Sequence, residues 1–241
     1  TTLVVTVDVP GQNRRAHDIR NGFSLPPRLW DLSNLFQMLC APAWSWAVAQ
    51  ESLKNGFPQF ENLTPYLPPN LSTAQALAYQ SQLVTGHVGP ETFALLRERW
   101  PCDLLVKGIL DPVDARRYQE LGADGLIVSN HGGRQLESAP SAVAVLPSIR
   151  KAVGSEYPLI ADGGVRTGQD ICRMIALGAD FVLLGRAFYL ALAGMGLLGA
   201  DYVMGLLKSE LRCTMAQIGC RELAELPGRL PNLPGETLPA V

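Results

Sequence analysis

Ile127-Val128-Ser129-Asn130-His131-Gly132-Gly133-Arg134-Gln135-Leu136 is the stretch that decides how the rest of the chain is read. A β-branched run ends in a polar residue, a histidine, two glycines and an arginine, and the chain then turns toward a helix. In parallel α/β folds, ligands and catalytic groups collect at the C-terminal ends of strands. Glycines let the backbone approach a planar ligand closely, and an arginine offers a planar fork suited to a carboxylate. His131 sits at such a strand end, three residues before Arg134, and is the candidate catalytic group.

Outward from this motif the chain alternates between strand and helix patterns. Gly89-Pro90-Glu91 opens a helix that reaches about Trp100, and Leu104-Leu105-Val106 reads as a strand ending at Lys107-Gly108. Asp111-Pro112 starts the next helix, with proline in its permitted first turn, and Gly122 stops it. The motif strand is Gly125 to Val128, followed by a helix near 141–153 and by the strand Leu159-Ile160-Ala161. That strand ends in Asp162-Gly163-Gly164-Val165-Arg166, and Thr167 caps a helix running to about Leu177. Phe181 to Leu184 is the last strand, ending in Gly185-Arg186, with helices over roughly 187–213 broken first by Gly194, Gly196 and Gly199.

At the other end, Thr1 to Asp8 reads as a buried strand with no leading turn, as in a fragment. Pro10 to Arg15 leaves it as a turn-rich loop. Repeated βα units argue for a parallel sheet. Chemistry-bearing residues end every strand, which favours an α/β (β/α)8 TIM barrel over a doubly wound sheet. The chain supplies about the last five βα units, so three strands must be absent or come from elsewhere. Residues 1–225 are expected to form this barrel portion, with a long irregular insertion or lid over 16–88 and a Pro-rich tail over 226–241.

The composition bounds the partners. Of 241 residues 47% are hydrophobic and the net charge is −2, which suits an ordinary α/β core. Without a basic excess or aromatic–basic interleaving, nucleic acid is not an expected partner. The five cysteines are scattered with no C-x-x-C pair, so reduced thiols, a cytoplasmic location and no bound metal are expected. Within the insertion, residues 28–48 carry an apolar patch that includes Leu29, Trp30, Leu32, Leu35, Phe36, Trp44 and Trp46. The patch is too broken to span a bilayer. It reads either as a lid or as a peripheral contact with the inner face of a membrane, since Trp favours the headgroup region.

Two glycine turns closed by arginine, Gly163-Gly164-Val165-Arg166 and Gly185-Arg186, follow the last two strands, where such barrels often hold a phosphate. Tight turns with surface arginines are the bland alternative. A lysine at a strand end, Lys107, calls for an anionic partner; a flavin N1/O2 edge fits, and a Schiff-base lysine or a snorkelling one competes. Asp8 beside His131 would fix the tautomer of a base, and Arg15 and Arg134 could clamp a carboxylate.

V-K-G, S-N-H-G-G-R-Q-L, D-G-G-V-R-x-G and L-G-R, in that order, resemble the FMN-dependent α-hydroxy-acid dehydrogenase/oxidase family over residues 1 to about 225. The segments A-P-A-W-S-W and T-M-A-Q-I-G-C look most like its mandelate dehydrogenase branch. The S-N-H-G-G-R string is not expected in other FMN barrels such as type-2 isopentenyl diphosphate isomerases. The resemblance implies FMN as cofactor and oxidation of an (S)-2-hydroxy acid, aromatic and mandelate-like, to the 2-oxo acid, with electrons passing to oxygen or a quinone. It implies that His131 is the base, Asp8 stabilises its imidazolium, and Arg134 and Arg15 hold the substrate. Lys107 would sit at the flavin N1/O2 edge, Thr6 and Ser129 would contact the flavin, and Asp162, Gly163, Gly164, Val165, Arg166, Gly185 and Arg186 would hold the ribityl phosphate. Carbanion formation and hydride transfer fit these residues equally. The family's first three strands and two active-site tyrosines have no counterpart here, so a companion chain or N-terminal segment is expected to complete the barrel, within a homo-oligomer such as a tetramer. A non-catalytic half-barrel is the alternative.

Overall fold

The computed structural model describes residues 1–11, 19–22, 31–56, 61–69, 71–72, 75–76, 78–79 and 86–229. The chain divides into two compact units, Thr1–Asp8 together with Val88–Val241, and Val9–His87.

The first unit carries a five-stranded sheet. Its elements run β1 (Leu3–Thr6), α3 (Pro90–Arg99), β2 (Leu104–Ile109), α4 (Pro112–Glu120), β3 (Gly125–Val128), α5 (Ala142–Val153), β4 (Leu159–Ala161), α6 (Gly168–Ala176), β5 (Phe181–Val182), α7 (Arg186–Met195) and α8 (Leu198–Gln217). Helices α1 and α2 belong to the second unit. All four strand pairings are parallel and the order is β1-β2-β3-β4-β5. A doubly wound sheet reverses its order at a switch point. Strictly sequential neighbours instead describe an arc of barrel wall, and every strand end carrying chemistry faces the same way.

Burial on both faces explains the composition of the central strands. All four residues of β3 are buried, and its Leu126 and Val128 share one core with Leu104, Val106, Leu159 and Ala161 and with Phe93, Leu146 and Ile149 from the helices. Phe93 meets Tyr118 edge-on, with ring centroids 5.2 Å apart. The outer strands depart from the sequence reading. Residues 1–8 are not a buried strand: β1 covers only Leu3–Thr6 and Val4 is exposed, because β1 has a neighbour on one side only. For the same reason β5 is confined to two residues and Phe181 is exposed.

A bracket recurs at the N-terminal ends of the strands. Leu104 donates its N–H to Asp124 Oδ2 (2.8 Å) and accepts from the Asp124 N–H (2.9 Å). Leu159 and Asp180 repeat this reciprocal pair, each bond 2.8 Å. Each aspartate is gripped by an arginine from the helix before the bracketed strand, Arg97 of α3 to Asp124 and Arg150 of α5 to Asp180, both 2.7 Å. Arg97 also donates to the carbonyls of Trp100, Cys102 and Gly122, and Arg150 to those of Gly154, Ser155, Tyr157 and Gly178. Both aspartates close the same tetrapeptide, Leu-Gly-Ala-Asp, at 121–124 and 177–180. Sequence reading had passed over that repeat.

Thr167 caps α6 as expected, in a capping box with Asp170. Burial pushes the Asp170 carboxyl up, but bonds from the Arg166 N–H, the Thr167 hydroxyl and N–H, and Arg173 outweigh it and hold it below its usual range. No cysteine is in a disulfide. Cys172 and Cys220 share a small second core with Leu226, where burial, and then the neighbouring thiol, push Cys172 up. Pro227–Arg229 is a single 3-10 turn, and the tail beyond it lies outside the described residues.

Among the described residues of the second unit, part is helical where its Pro, Asn and Ser content suggested an irregular stretch. It contains α1 (Leu32–Cys40), α2 (Pro42–Asn55) and a 3-10 turn at Glu61–Tyr66. Leu32, Leu35, Phe36 and Leu39 recur at three- and four-residue spacing, which favours a helix despite the flanking polar residues. Leu32, Phe36, Leu39, Trp44 and Trp46 are exposed, and neither helix has a buried residue. No described helix is long and apolar enough to cross a membrane.

Candidate active site

The C-terminal ends of β1, β2, β3 and β4 bring together Asp8, Lys107, Ser129, His131 and Asp162. The register sets Thr6 opposite Lys107 and Lys107 opposite Ile127, and it shifts after Lys107 so that Ile109 pairs with Val128. Ser129 is fully buried directly after β3. Its Oγ accepts from Lys107 Nζ (2.8 Å) and from the His131 backbone N–H (3.0 Å).

His131 adopts a left-handed backbone, φ 55, the only described non-glycine residue to do so. Such a conformation costs on the order of 1 kcal/mol and persists only where the surroundings fix it. Here the Ser129 hydroxyl holds the N–H, and Gly132 and Gly133 continue the left-handed turn. The turn points the imidazole at β1, where Nδ1 lies 3.3 Å from Asp8 Oδ1. Both side chains are largely shielded, 28% and 14% exposed, so the pair is weakly screened. With Nδ1–H donated to the carboxylate, Nε2 is left as the basic nitrogen.

Gly108 makes that contact sterically feasible. It forms a bulge in β2 with φ +108, and a Cβ there would lie 2.6 Å from Asp8 Cβ and Cγ. The signal was present in the sequence, a glycine directly after the strand-end lysine, but its target lies a hundred residues away in the chain.

Lys107 Nζ also pairs with Asp162 Oδ2 at 3.2 Å, both side chains under a fifth exposed. Asp162 Oδ1, Asp8 Oδ2 and Asn130 Oδ1 are buried without a hydrogen-bond partner among the described residues. Asn130 was not singled out from the sequence; its amide reaches toward the Pro140 carbonyl (3.4 Å) and its oxygen lies where a Gly163 Cβ would fall. Arg186 donates to the Gly132 carbonyl (2.8 Å), tying the turn after β5 to the histidine loop. Arg134 and Arg166 are exposed, Val165 is buried, and Arg15 lies outside the described residues.

The donors and cavities left over suit a flavin mononucleotide. The N-terminus of α7, at Gly185, has no side-chain cap, and open space surrounds the positions where a Cβ would stand on Gly164 and Gly185. An anion fits there beside Arg166. The unpartnered Asp162 oxygen accepts a hydroxyl, as on a ribityl chain, and the Lys107 ammonium suits the electron-rich edge of an isoalloxazine ring.

A parallel βα barrel arc with a His–Asp pair, a lysine and glycine–arginine turns at one mouth describes the class of α/β barrels built to hold a phosphate-bearing cofactor beside a proton acceptor. Residues 1–231 match the profile of the FMN-dependent dehydrogenase family. The chain belongs to that family, whose members depend on FMN. It is 38% identical over 225 residues to an L-lactate dehydrogenase of Chromohalobacter salexigens, covering 93% of this chain and 56% of that one. An L-lactate dehydrogenase of Xanthomonas campestris pv. campestris is equally similar over 228 residues, 95% and 58% of the two chains. Among solved structures, the monotopic membrane protein (S)-mandelate dehydrogenase matches with a TM-score of 0.85 at 38% identity, over 97% of this chain and 60% of that one. A mandelate oxidase with (S)-2-phenylpropionate matches at 0.66 and 30%, over 93% and 53%. The chain thus spans less than two thirds of the relatives it matches, and its fold corresponds to about the latter half of their FMN-dependent TIM barrel.

Proposed function

We propose that this chain carries the acid–base half of an FMN-dependent 2-hydroxy-acid dehydrogenase or oxidase, converting an (S)-2-hydroxy acid to the 2-oxo acid. The observation that carries this reading is the His131–Asp8 pair at 3.3 Å, on a histidine whose backbone is held left-handed by Ser129. Asp8 fixes Nδ1–H and stabilises positive charge on the ring, so Nε2 takes the proton from the α-carbon or from the hydroxyl. Arg134, exposed at the mouth, binds the substrate carboxylate, and Arg15 is its proposed companion. FMN, when bound, supplies the two-electron acceptor. Thr6 and Ser129 would line its ring, Lys107 would face its N1 edge, and Asp162 to Arg166 with Gly185 and Arg186 would hold its ribityl phosphate. Oxygen or a quinone takes the electrons onward.

An aromatic, mandelate-like substrate is the finer proposal, supported by the likeness to (S)-mandelate dehydrogenase. The lactate names among the relatives make L-lactate the comparison. The exposed edges of β1 and β5 support a companion chain or further segment that completes the barrel, within a homo-oligomer such as a tetramer. For residues 28–48 the exposed apolar side chains of α1 and α2 support peripheral contact with the inner face of a membrane, on an otherwise cytoplasmic protein.

The test is anaerobic mixing of the FMN-loaded, assembled protein with (S)-mandelate and with L-lactate, following the flavin absorbance. Bleaching, with higher kcat/KM for mandelate, supports the reading. A preparation that binds FMN and is bleached by neither acid, nor by any other 2-hydroxy acid, overturns it. The same edges also suit a non-catalytic half-barrel, which that second outcome would favour.

A further inference from the structure

We propose that Asp162 is a positioning residue for Lys107, serving as the counter-ion that fixes the ammonium at the end of β2 and moderates its charge. The inference rests on the flavin reading of this mouth and goes beyond it, since that reading groups Asp162 with the phosphate turn.

Three observations carry it. Asp162 Oδ2 lies 3.2 Å from Lys107 Nζ, and both side chains are under a fifth exposed, so the attraction is weakly screened. Ser129 Oγ, fully buried, takes a second N–H of the same ammonium at 2.8 Å. Two of three donors are thereby fixed from β3 and β4, and the direction of the third is set. A carboxylate is also poorly suited to hold a phosphate, since like charges repel. Its remaining oxygen is buried and unpartnered, which suits a hydroxyl donor.

The charge consequence follows directly. An ammonium alone favours whichever form of a neighbouring electron acceptor is more negative. An ammonium paired with a carboxylate favours it less. Asp162 thus keeps the lysine ordered while restraining its pull on the acceptor.

The experiment is a double-mutant cycle on the FMN-loaded protein, using Asp162→Asn, Lys107→Met and the pair, with FMN affinity and the flavin midpoint potential as readouts. Asp162→Asn keeps the shape of the side chain, and Asp162→Ser replaces it should the amide not be tolerated on a thermal melt. We expect D162N to move the oxidised-to-reduced ratio at fixed poise about tenfold toward reduced flavin, equivalent to about 30 mV for a two-electron couple. In the K107M background that shift should be clearly smaller, because the part that acts through the placement of the ammonium is gone. A potential unchanged by D162N, or shifted equally with and without the lysine, overturns the inference while leaving the flavin reading intact. Failure of the unmutated protein to bind FMN would instead overturn the reading beneath it. Loss of FMN affinity of equal size in both backgrounds, without a change in potential, would return Asp162 to cofactor anchoring alone.

Discussion

Replacing Gly108 with alanine tests how the strand-end geometry and the chemistry depend on each other. The added Cβ would lie 2.6 Å from Asp8 Cβ and Cγ and 3.0 Å from the Asp8 N, on a backbone at φ +108. Ordinary contact begins near 3.4 Å, so β1 and the aspartate must give by about 0.8 Å. The backbone strain alone costs on the order of 1–3 kcal/mol. For a chain of this size that corresponds to a fall in Tm of roughly 2–12 °C. If the displacement lengthens the His131–Asp8 separation from 3.3 Å by the same amount, the attraction at an effective permittivity of about 20 drops from about 5 to about 4 kcal/mol. Catalysis through an imidazolium should then slow roughly fivefold, since each 1.36 kcal/mol is tenfold in rate. Gly154→Ala, at the end of α5 and outside the site, is the control: φ is +92 but nothing lies within 4 Å, so it has the strain without the collision. Melting curves and anaerobic flavin reduction rates on both variants separate the two terms. If G108A melts and reacts as G154A does, Gly108 is not what makes room for Asp8.

Four further outcomes are expected. His131→Ala should lower the flavin reduction rate by about 10²–10⁴ while FMN stays bound, as for loss of a general base, and equilibrium titration with FMN checks the second half. Asp8→Asn should cost roughly 10- to 100-fold in the same assay, because the shielded charge that supports the imidazolium is gone. Arg150→Met removes donors to four carbonyls and to Asp180 from a side chain 16% exposed, and should destabilise the fold by about 2–4 kcal/mol in urea, with Arg97→Met acting in the same direction. In acid, the Leu104 N–H, foremost, and Arg97 hold the Asp124 carboxyl below its ordinary 3.8, so its contribution is present above pH 3.8 and is lost as pH falls through the lowered value. Asp124→Asn should flatten that limb of a stability–pH curve, and a limb of unchanged steepness would exclude Asp124 as its source.

Much of the barrel wall was legible because burial on both faces leaves a strong signature. Leu104 to Val106, Gly125 to Val128 and Leu159 to Ala161 are apolar runs bounded by glycine, proline and capping residues, and all three are strands. The outer strands misled, since β1 and β5 have the same apolar composition while lacking a neighbour on one side. The insertion misled differently. Its prolines and asparagines outweighed the helical recurrence of Leu32, Leu35, Phe36 and Leu39. At the mouth, the His131 loop announced itself locally. The contacts of Lys107 with Asp162 and of Gly108 with Asp8 join residues 55 and 100 positions apart, and no local pattern encodes such pairings. Arg186 shows the same limit: its type suggested an anion, and part of its guanidinium serves the Gly132 carbonyl.

The paired arginine–aspartate brackets have a consequence for how such a molecule can change. They fasten the strands at the rim remote from His131, and each is built from a helix end, a strand start and one tetrapeptide. Residues at the opposite rim can therefore be exchanged without loosening the frame. A library that randomises the loops after β3, β4 and β5 while keeping both tetrapeptides should yield folded proteins far more often than one that spares the loops and varies the tetrapeptides.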